Sequence, residues 1–189
     1  MTPFSQLEFR ALELISTTFR SDFLDLLMPS VSFLGDIGWI WILFSFLFMF
    51  RKTTRKTGLT MAVALLFSYV VANLVLKPLV ARPRPYEVNA AIQLLIRPPH
   101  DFSFPSGHTQ ASFAAAAAIY HNWKWPGLAA LVLAGLIAFS RLYLMVHYVT
   151  DVLAGAAIGY CLGGLADAMI NGLQYRYKNS TRKRRKRRQ

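Results

Sequence analysis

Apolar residues come in blocks along this chain. Gly58 to Leu76 carries no formal charge over 19 residues, enough helix to cross about 30 Å of hydrocarbon. Pro126 to Ser140 is likewise uncharged and runs on to Met145, with Arg141 alone interrupting. Thr109 to Asn122, which contains the helix-forming run Ala114 to Ala118, and Tyr148 to Ile170, with two acids, complete the later set. Leu24 to Phe50 is long and aromatic-rich but holds Asp25, Pro29 and Asp36. The stretch "FLGDIGW" sets glycines on both sides of Asp36, which predicts a break there, with Asp36 capping the helix that runs to Phe50. The pattern predicts an all-α, polytopic membrane helix bundle of about five to six transmembrane helices, five by this count.

The first 23 residues read differently. Phe4, Leu7, Ala11, Leu14 and Ile15 alternate with Glu8, Arg10 and Glu13, and Leu7, Ala11, Leu14 and Ile15 share one helical face. That predicts an amphipathic helix lying in the membrane interface rather than a span. The chain thus divides into an interfacial segment (1–23), a transmembrane domain (24–172) and a tail (173–189). No basic region followed by a pure apolar core opens the chain, so no cleavable secretory signal is expected.

Charge refines this picture. The 189 residues are 54% apolar yet carry a net charge of +12. From Arg176 onward stand nine Lys or Arg and no acid, ending "TRKRRKRRQ"; the remaining chain has 12 basic and 9 acidic residues. Following a span, such a tail is expected to set topology and bind anionic lipid headgroups rather than nucleic acid. "RKTTRKT" puts four positive charges at 51–57. With five spans this linker, the turn near Lys124 and the tail share the cytoplasmic side. The loop of about residues 77–105 then lies outside. Lys77, Arg82, Arg84 and Arg97 outnumber Glu87 and Asp101 there, against the positive-inside rule. Those charges need a reason other than topology. The lone Cys161 lies in an apolar segment and reads as a small packing residue.

Three polar stretches sit at span ends on that outer side. In "KPLVARPRP", six residues separate Lys77 from Arg84, and Pro78, Pro83 and Pro85 are expected to bar helix and stiffen the connection. Pro105-Ser106-Gly107-His108 opens the next span, where free backbone N–H groups suit an anion. "SRLYLMVHYVTD" closes one span and opens another, carrying Arg141, His147 and Asp151. Lys77 offers a point charge, and Arg84 and Arg141 offer planar forks for phosphate oxygens. Ser106 adds a hydroxyl, and Gly107 lets an oxyanion approach the backbone. His147 and Asp151 are four apart, so on a helix the carboxylate can orient the imidazole as a nucleophile. His108, on another span, is free to protonate a leaving oxygen. Two His and one Asp could hold zinc, but Lys77 with Arg82, Arg84 and Arg141 repels a dication, so no metal and no other cofactor is expected. His100 and His121 lack such company. Polar groups gathered at one face argue against a transporter, whose charges line a path through the membrane.

Together the three stretches resemble the type 2 phosphatidic acid phosphatase superfamily of membrane lipid phosphatases, from about Leu24 to Ile170. Its pattern pairs Lys with Arg-Pro, then Pro-Ser-Gly-His, then Ser-Arg with His six and Asp ten residues after the Arg. Here these are Lys77 with Arg84-Pro85, Pro105 to His108, and Ser140-Arg141 with His147 and Asp151. The resemblance implies that His147 forms a phosphohistidine, Asp151 orients it, and His108 serves as acid and then base. It implies phosphate binding by Lys77, Arg84, Ser106, Gly107 and Arg141. A short chain of this kind is similar to bacterial undecaprenyl pyrophosphate phosphatases, which implies a cytoplasmic-membrane enzyme with its site on the extracytoplasmic face. Phosphatidylglycerophosphate and phosphatidate remain open as substrates.

Overall fold

The computed structural model describes the backbone of residues 3–186 and the side chains of residues 6–181. Phe4 and the basic side chains from Arg182 onward lie outside the described residues. The described chain is all-helical: α1 (Pro3–Thr18), α2 (Asp22–Leu34), α3 (Trp39–Phe50), α4 (Arg55–Tyr69), α5 (Lys77–Val80), α6 (Pro85–Val88), α7 (Gly107–Asn122), α8 (Lys124–Tyr143) and α9 (Val149–Lys186).

Three of its helical stretches are long and apolar enough to cross a membrane, Arg55–Val88, Lys124–Tyr143 and Val149–Thr181, and Asp22–Leu34 with Asp36–Phe50 reach that length and apolarity only when taken together as one bent pair. The fifth segment expected from the pattern, α7, has 16 residues and is about 24 Å long. It forms the axis of the bundle. Ala114 to Ala118 are fully buried, with α4, α8 and α9 packed around them. At its far end Asn122 Nδ2 donates to Asp167 Oδ1 at 3.0 Å, and Lys56 Nζ lies 3.4 Å from the same carboxylate oxygen. Its near end is the polar quartet, so α7 runs the thickness of the bundle.

The break at Asp36 forms with a 44° bend, at Ile37 (φ 55°) and Gly38 (φ 71°). Asp36 does not cap α3, whose start has no side-chain cap. Gly35 allows the bend to pack tightly, since a Cβ there would stand 2.8 Å from the His108 ring.

The prolines act differently from the sequence reading. Helix α4 continues through a π-helical stretch (Val70–Leu76) into α5, and Pro78 lies in the first turn of α5. A π stretch displaces the regular hydrogen-bond ladder, and at its edge the Ser68 carbonyl accepts from Gln110 Nε2 at 3.1 Å. The chain leaves the helix at Ala81, with φ 46°. Pro85 starts α6 at N1, where a missing N–H costs nothing.

Helix α1 turns its expected apolar face outward: Leu7 and Leu14 are 65% and 67% exposed, whereas Glu8, Phe9, Leu12 and Ser16 are buried. Where the surroundings are lipid, apolar side chains can point out and the polar ones must find partners within. Helix α9 has 38 residues and passes the expected boundary at residue 172 without a break.

The most extensive packing joins α7 to α9. A Cβ added at Gly155 would meet the Ser106 carbonyl oxygen at 2.8 Å, at Gly159 the Gln110 oxygen at 2.3 Å, and at Gly163 the Ala114 oxygen at 2.5 Å. The three glycines, four apart, let two backbones touch. Gly135 of α8 has open space around it. Gly159→Ala is therefore expected to destabilise by about 1–3 kcal/mol through overpacking. Gly135→Ala should be neutral or stabilise by up to about 1 kcal/mol through helix propensity. Thermal unfolding in detergent checks both; equal effects would contradict the packing.

Candidate active site

At one end of the bundle the three motif stretches converge. Lys77 lies at the end of the long α4–α5 helix and is buried. Its Nζ donates to Asn73 Oδ1 at 3.1 Å and pairs with Asp101 Oδ2. A Cβ on Gly107 would lie 3.5 Å from that Nζ, so the ammonium faces the first turn of α7. Arg84, 2% exposed, uses its whole fork. Its Nε donates to the Asp101 carbonyl oxygen at 2.7 Å and its Nη2 to Asp101 Oδ1 at 2.5 Å. Its Nη1 donates to the Val146 carbonyl oxygen at 2.7 Å and lies 3.2 Å from His147 Nε2.

That last contact fixes a proton. A guanidinium has no acceptor, so Nε2 must present its lone pair, and the neutral ring carries hydrogen on Nδ1. Burial pushes the His147 imidazole down to about 3, the nearby Arg84 and Arg141 add to this, and Asp151 opposes it. The ring is thus neutral at physiological pH. Its Nδ1 stands 3.6 Å from Asp151 Oδ2, ion-pair distance but beyond a hydrogen bond, and has no other partner among the described residues.

Arg141, also 2% exposed, donates through Nη1 to Ser32 of α2. Its Nε has no partner, and it forms no ion pair among the described residues. An unpaired buried cation is costly. Ser106 is fully buried; its Oγ accepts from Thr109 Oγ1 at 2.9 Å and its backbone N–H donates to the Asp151 carbonyl oxygen at 3.1 Å. His108 follows in the first turn of α7, and its Nε2 lies 2.6 Å from Asp36 Oδ1.

The structure therefore brings Lys77 and Arg84 together around Asp101, sets His147 against Arg84, sets Gly107 and His108 beside Lys77, and ties Ser106 to Asp151. His121 lies at the far end, near Gly164, and His100 is exposed in the loop. Four groups were not anticipated: Asp36 on His108, Asp101 between Lys77 and Arg84, Ser32 on Arg141, and Glu8 with Arg82 behind Asp151. Asp36 carried a signal, as an acid inside an apolar block, and so did Arg82, as one of the loop cations that topology does not explain.

A cavity of about 660 Å³ opens from this cluster. Lys77, Asp101, Gly107 and His108 line its polar end, and it continues between α3 and α4 along Phe46, Leu65 and Leu66.

This bundle of apolar helices, with basic groups and two imidazoles at one end, is a membrane architecture. The chain belongs to the PAP2 superfamily, whose profile matches residues 57–174. An undecaprenyl-diphosphatase of Sulfolobus acidocaldarius is 33% identical over 130 residues, 67% of this chain and 63% of that protein's length. Among solved structures, LpxE of Aquifex aeolicus matches with a TM-score of 0.73 at 29% identity, over 85% of this chain and 94% of that one. A transmembrane PAP2 type phosphatidylglycerolphosphate phosphatase from Bacillus subtilis matches with 0.72 at 26% identity, over 90% and 88%.

Asp101 yields a prediction. Burial alone would raise its carboxyl, but Lys77 and Arg84 outweigh this and bring it to about 2. The ordinary carboxyl lies near ~4, so the tie between loop and cations is complete above about 4 and is lost as pH falls towards about 2. Pepsin cutting within residues 89–104 should rise across that window, and Asp101→Asn should be cut rapidly already at its upper end. A flat profile would mean that the carboxylate does not hold the loop.

Proposed function

We propose that this protein is a membrane lipid phosphatase that hydrolyses a lipid phosphate or diphosphate through a phosphohistidine at His147, with undecaprenyl diphosphate, cleaved to its monophosphate, as the first substrate. One observation carries the reading: Lys77 and Arg84 are buried with Asp101 shared between them, and the buried Arg141, within electrostatic reach of Arg84, has no carboxylate partner among the described residues. Positive charge held in low dielectric favours a polyanion strongly. The cavity supports a lipid, because an apolar reach along Phe46, Leu65 and Leu66 continues from its polar end at Lys77 and His108. The similarity to an undecaprenyl-diphosphatase supports the diphosphate.

The steps follow from the geometry. Nε2 of His147 attacks phosphorus, and the bond from phosphorus to the leaving oxygen breaks. Lys77, Arg84 and Arg141, with the Ser106 hydroxyl and the N–H groups near Gly107, take up the charge on the equatorial oxygens. Asp151 stabilises the positive ring of the phosphohistidine. His108 gives its proton to the leaving oxygen, then takes one from the water that attacks phosphorus. Phosphate leaves, and both rings return to their starting state. No step calls for a metal.

We place the protein in a bacterial cytoplasmic membrane, with this site on the extracytoplasmic face and the basic tail against anionic headgroups on the cytoplasmic side. A phospholipid monoester is the second reading. The phosphatidylglycerolphosphate phosphatase that covers 90% of this chain favours it.

Phosphate release from a panel tests the reading: a prenyl diphosphate, phosphatidylglycerophosphate, phosphatidate and a soluble phosphate ester, each with excess chelator. The prenyl diphosphate should be fastest, and His147→Ala should lower its turnover at least ~10³-fold, the scale of losing a nucleophile. Comparable rates on all four would remove the lipid assignment. Loss of activity in chelator, restored by zinc, would remove the mechanism.

A further inference from the structure

We infer that Glu8 and Arg82 are positioning residues that hold Asp151 and set its charge towards His147, so that α1 forms part of the reaction centre. The inference rests on the phosphatase reading above and extends it to a helix outside the motif stretches.

Asp151 is fully buried, and three donors other than His147 hold it. Its Oδ1 accepts from Arg82 Nη1 at 2.6 Å, and its Oδ2 from Ser103 Oγ at 2.5 Å and the Tyr148 N–H at 2.9 Å. A carboxylate oxygen has two good acceptor directions. Oδ2 is therefore filled, which accounts for the 3.6 Å gap to a His147 Nδ1 that bonds nothing else. How far the carboxylate can turn to that N–H depends on its hold from Arg82 at the other oxygen.

Arg82 is itself held. Its Nη1 donates also to Thr150 Oγ1 at 2.8 Å, its Nη2 pairs with Glu8 Oε2, and its guanidinium lies 3.9 Å over the Tyr148 ring. Glu8 is 4% exposed and accepts the Thr150 hydroxyl through its other oxygen. Phe9 of the same helix packs edge-on against Tyr148, with ring centroids 5.4 Å apart. Both carboxylates of this cluster are buried, and Arg82 between them is 21% exposed.

The charges decide its purpose. Asp151 beside Arg82 alone sums to zero and gives little to a positive ring on His147. Adding the Glu8 carboxylate returns the cluster to −1, the charge that a phosphohistidine cation needs nearby. Glu8 thus frees Asp151 to act, and Arg82 keeps two buried carboxylates from repelling each other.

Glu8→Gln tests this, because it keeps the shape and an acceptor while leaving Arg82 uncompensated. Turnover on the fastest panel substrate should fall about tenfold or more, as when a supporting partner of a ligating histidine is removed, with KM within about twofold. Glu8→Gln/Arg82→Gln should recover part of the loss, a coupling that independent sites do not show. A chemical readout needs no turnover: diethyl pyrocarbonate acylates neutral imidazoles, and mass spectrometry gives the rate at His147 relative to the exposed His121. Glu8→Gln should lower that ratio. If Glu8→Gln cannot be purified, Thr150→Val, which removes the hydroxyl that joins Glu8 to Arg82, should lower the ratio in the same direction. An unchanged ratio in a folded variant, or a change in KM alone, overturns the inference. A parent protein that releases no phosphate from any panel lipid defeats the phosphatase reading instead, and the ratio still decides the coupling.

Discussion

The contact of α7 with α9, backbone against backbone, is the constraint on which the rest of the structure depends. Gly155, Gly159 and Gly163 remove the side chains that would hold the two helices apart. With the helices in contact, the Ser106 N–H reaches the Asp151 carbonyl oxygen, which joins the quartet before α7 to the acid in the first turn of α9. Two stretches more than 30 residues apart thereby share one fixed geometry. In lipid, where the hydrophobic effect gives little drive to helix association, such close packing is a main source of order. The alanine run of α7 extends the same principle, since small side chains let α4, α8 and α9 approach one axis.

On this frame sits a concentration of buried positive charge. Arg84 and Arg141 carry almost no exposure and Lys77 little more. Asp101 ties the loop between α6 and α7 to two of them, and Ser32 from α2 steadies the third. The cations are therefore fixed before any anion arrives. That is what electrostatic stabilisation of a transition state requires, because dipoles and charges already in place need no reorganisation. The same loop brings Ser103 to Asp151, so one segment organises both the cations and the acid behind the nucleophile.

Much of this was legible in the sequence, and the reasons for the gaps are specific. Uncharged runs marked the crossings because each must bury its own backbone polar groups in helix. Lys77, Arg84, His108, Arg141, His147 and Asp151 stood out as costly residues at span ends. The break around Asp36 was visible in its flanking glycines. Its partner was not, because the contact with His108 spans 72 positions and depends on a bend that brings Gly35 against the ring. The π stretch before Lys77 left no mark, as its residues are ordinary apolar ones. The amphipathic pattern of α1 tells which side is apolar, but not which polar residue the bundle will cover, so the burial of Glu8 against Arg82 left no mark.

The two imidazoles each meet a carboxylate, yet the settings differ in a way that separates their tasks. Asp151 is entirely enclosed and held by three donors besides His147, whereas Asp36 is 48% exposed and meets His108 at 2.6 Å. A ring that attacks phosphorus gains from a fixed tautomer, with the lone pair on Nε2, and from an enclosed negative charge; Arg84 sets the first and Asp151 supplies the second. A ring that passes a proton first to a leaving oxygen and then from water gains from reaching the cavity, which His108 lines beside the partly exposed Asp36 at the bend between α2 and α3. The enclosure of one pair and the openness of the other come from where their helices begin: α9 starts behind Tyr148 and Arg82, while α7 starts at the mouth of the cavity. Division of labour between the histidines is thus set by the packing of the helix ends, before any difference in the side chains themselves.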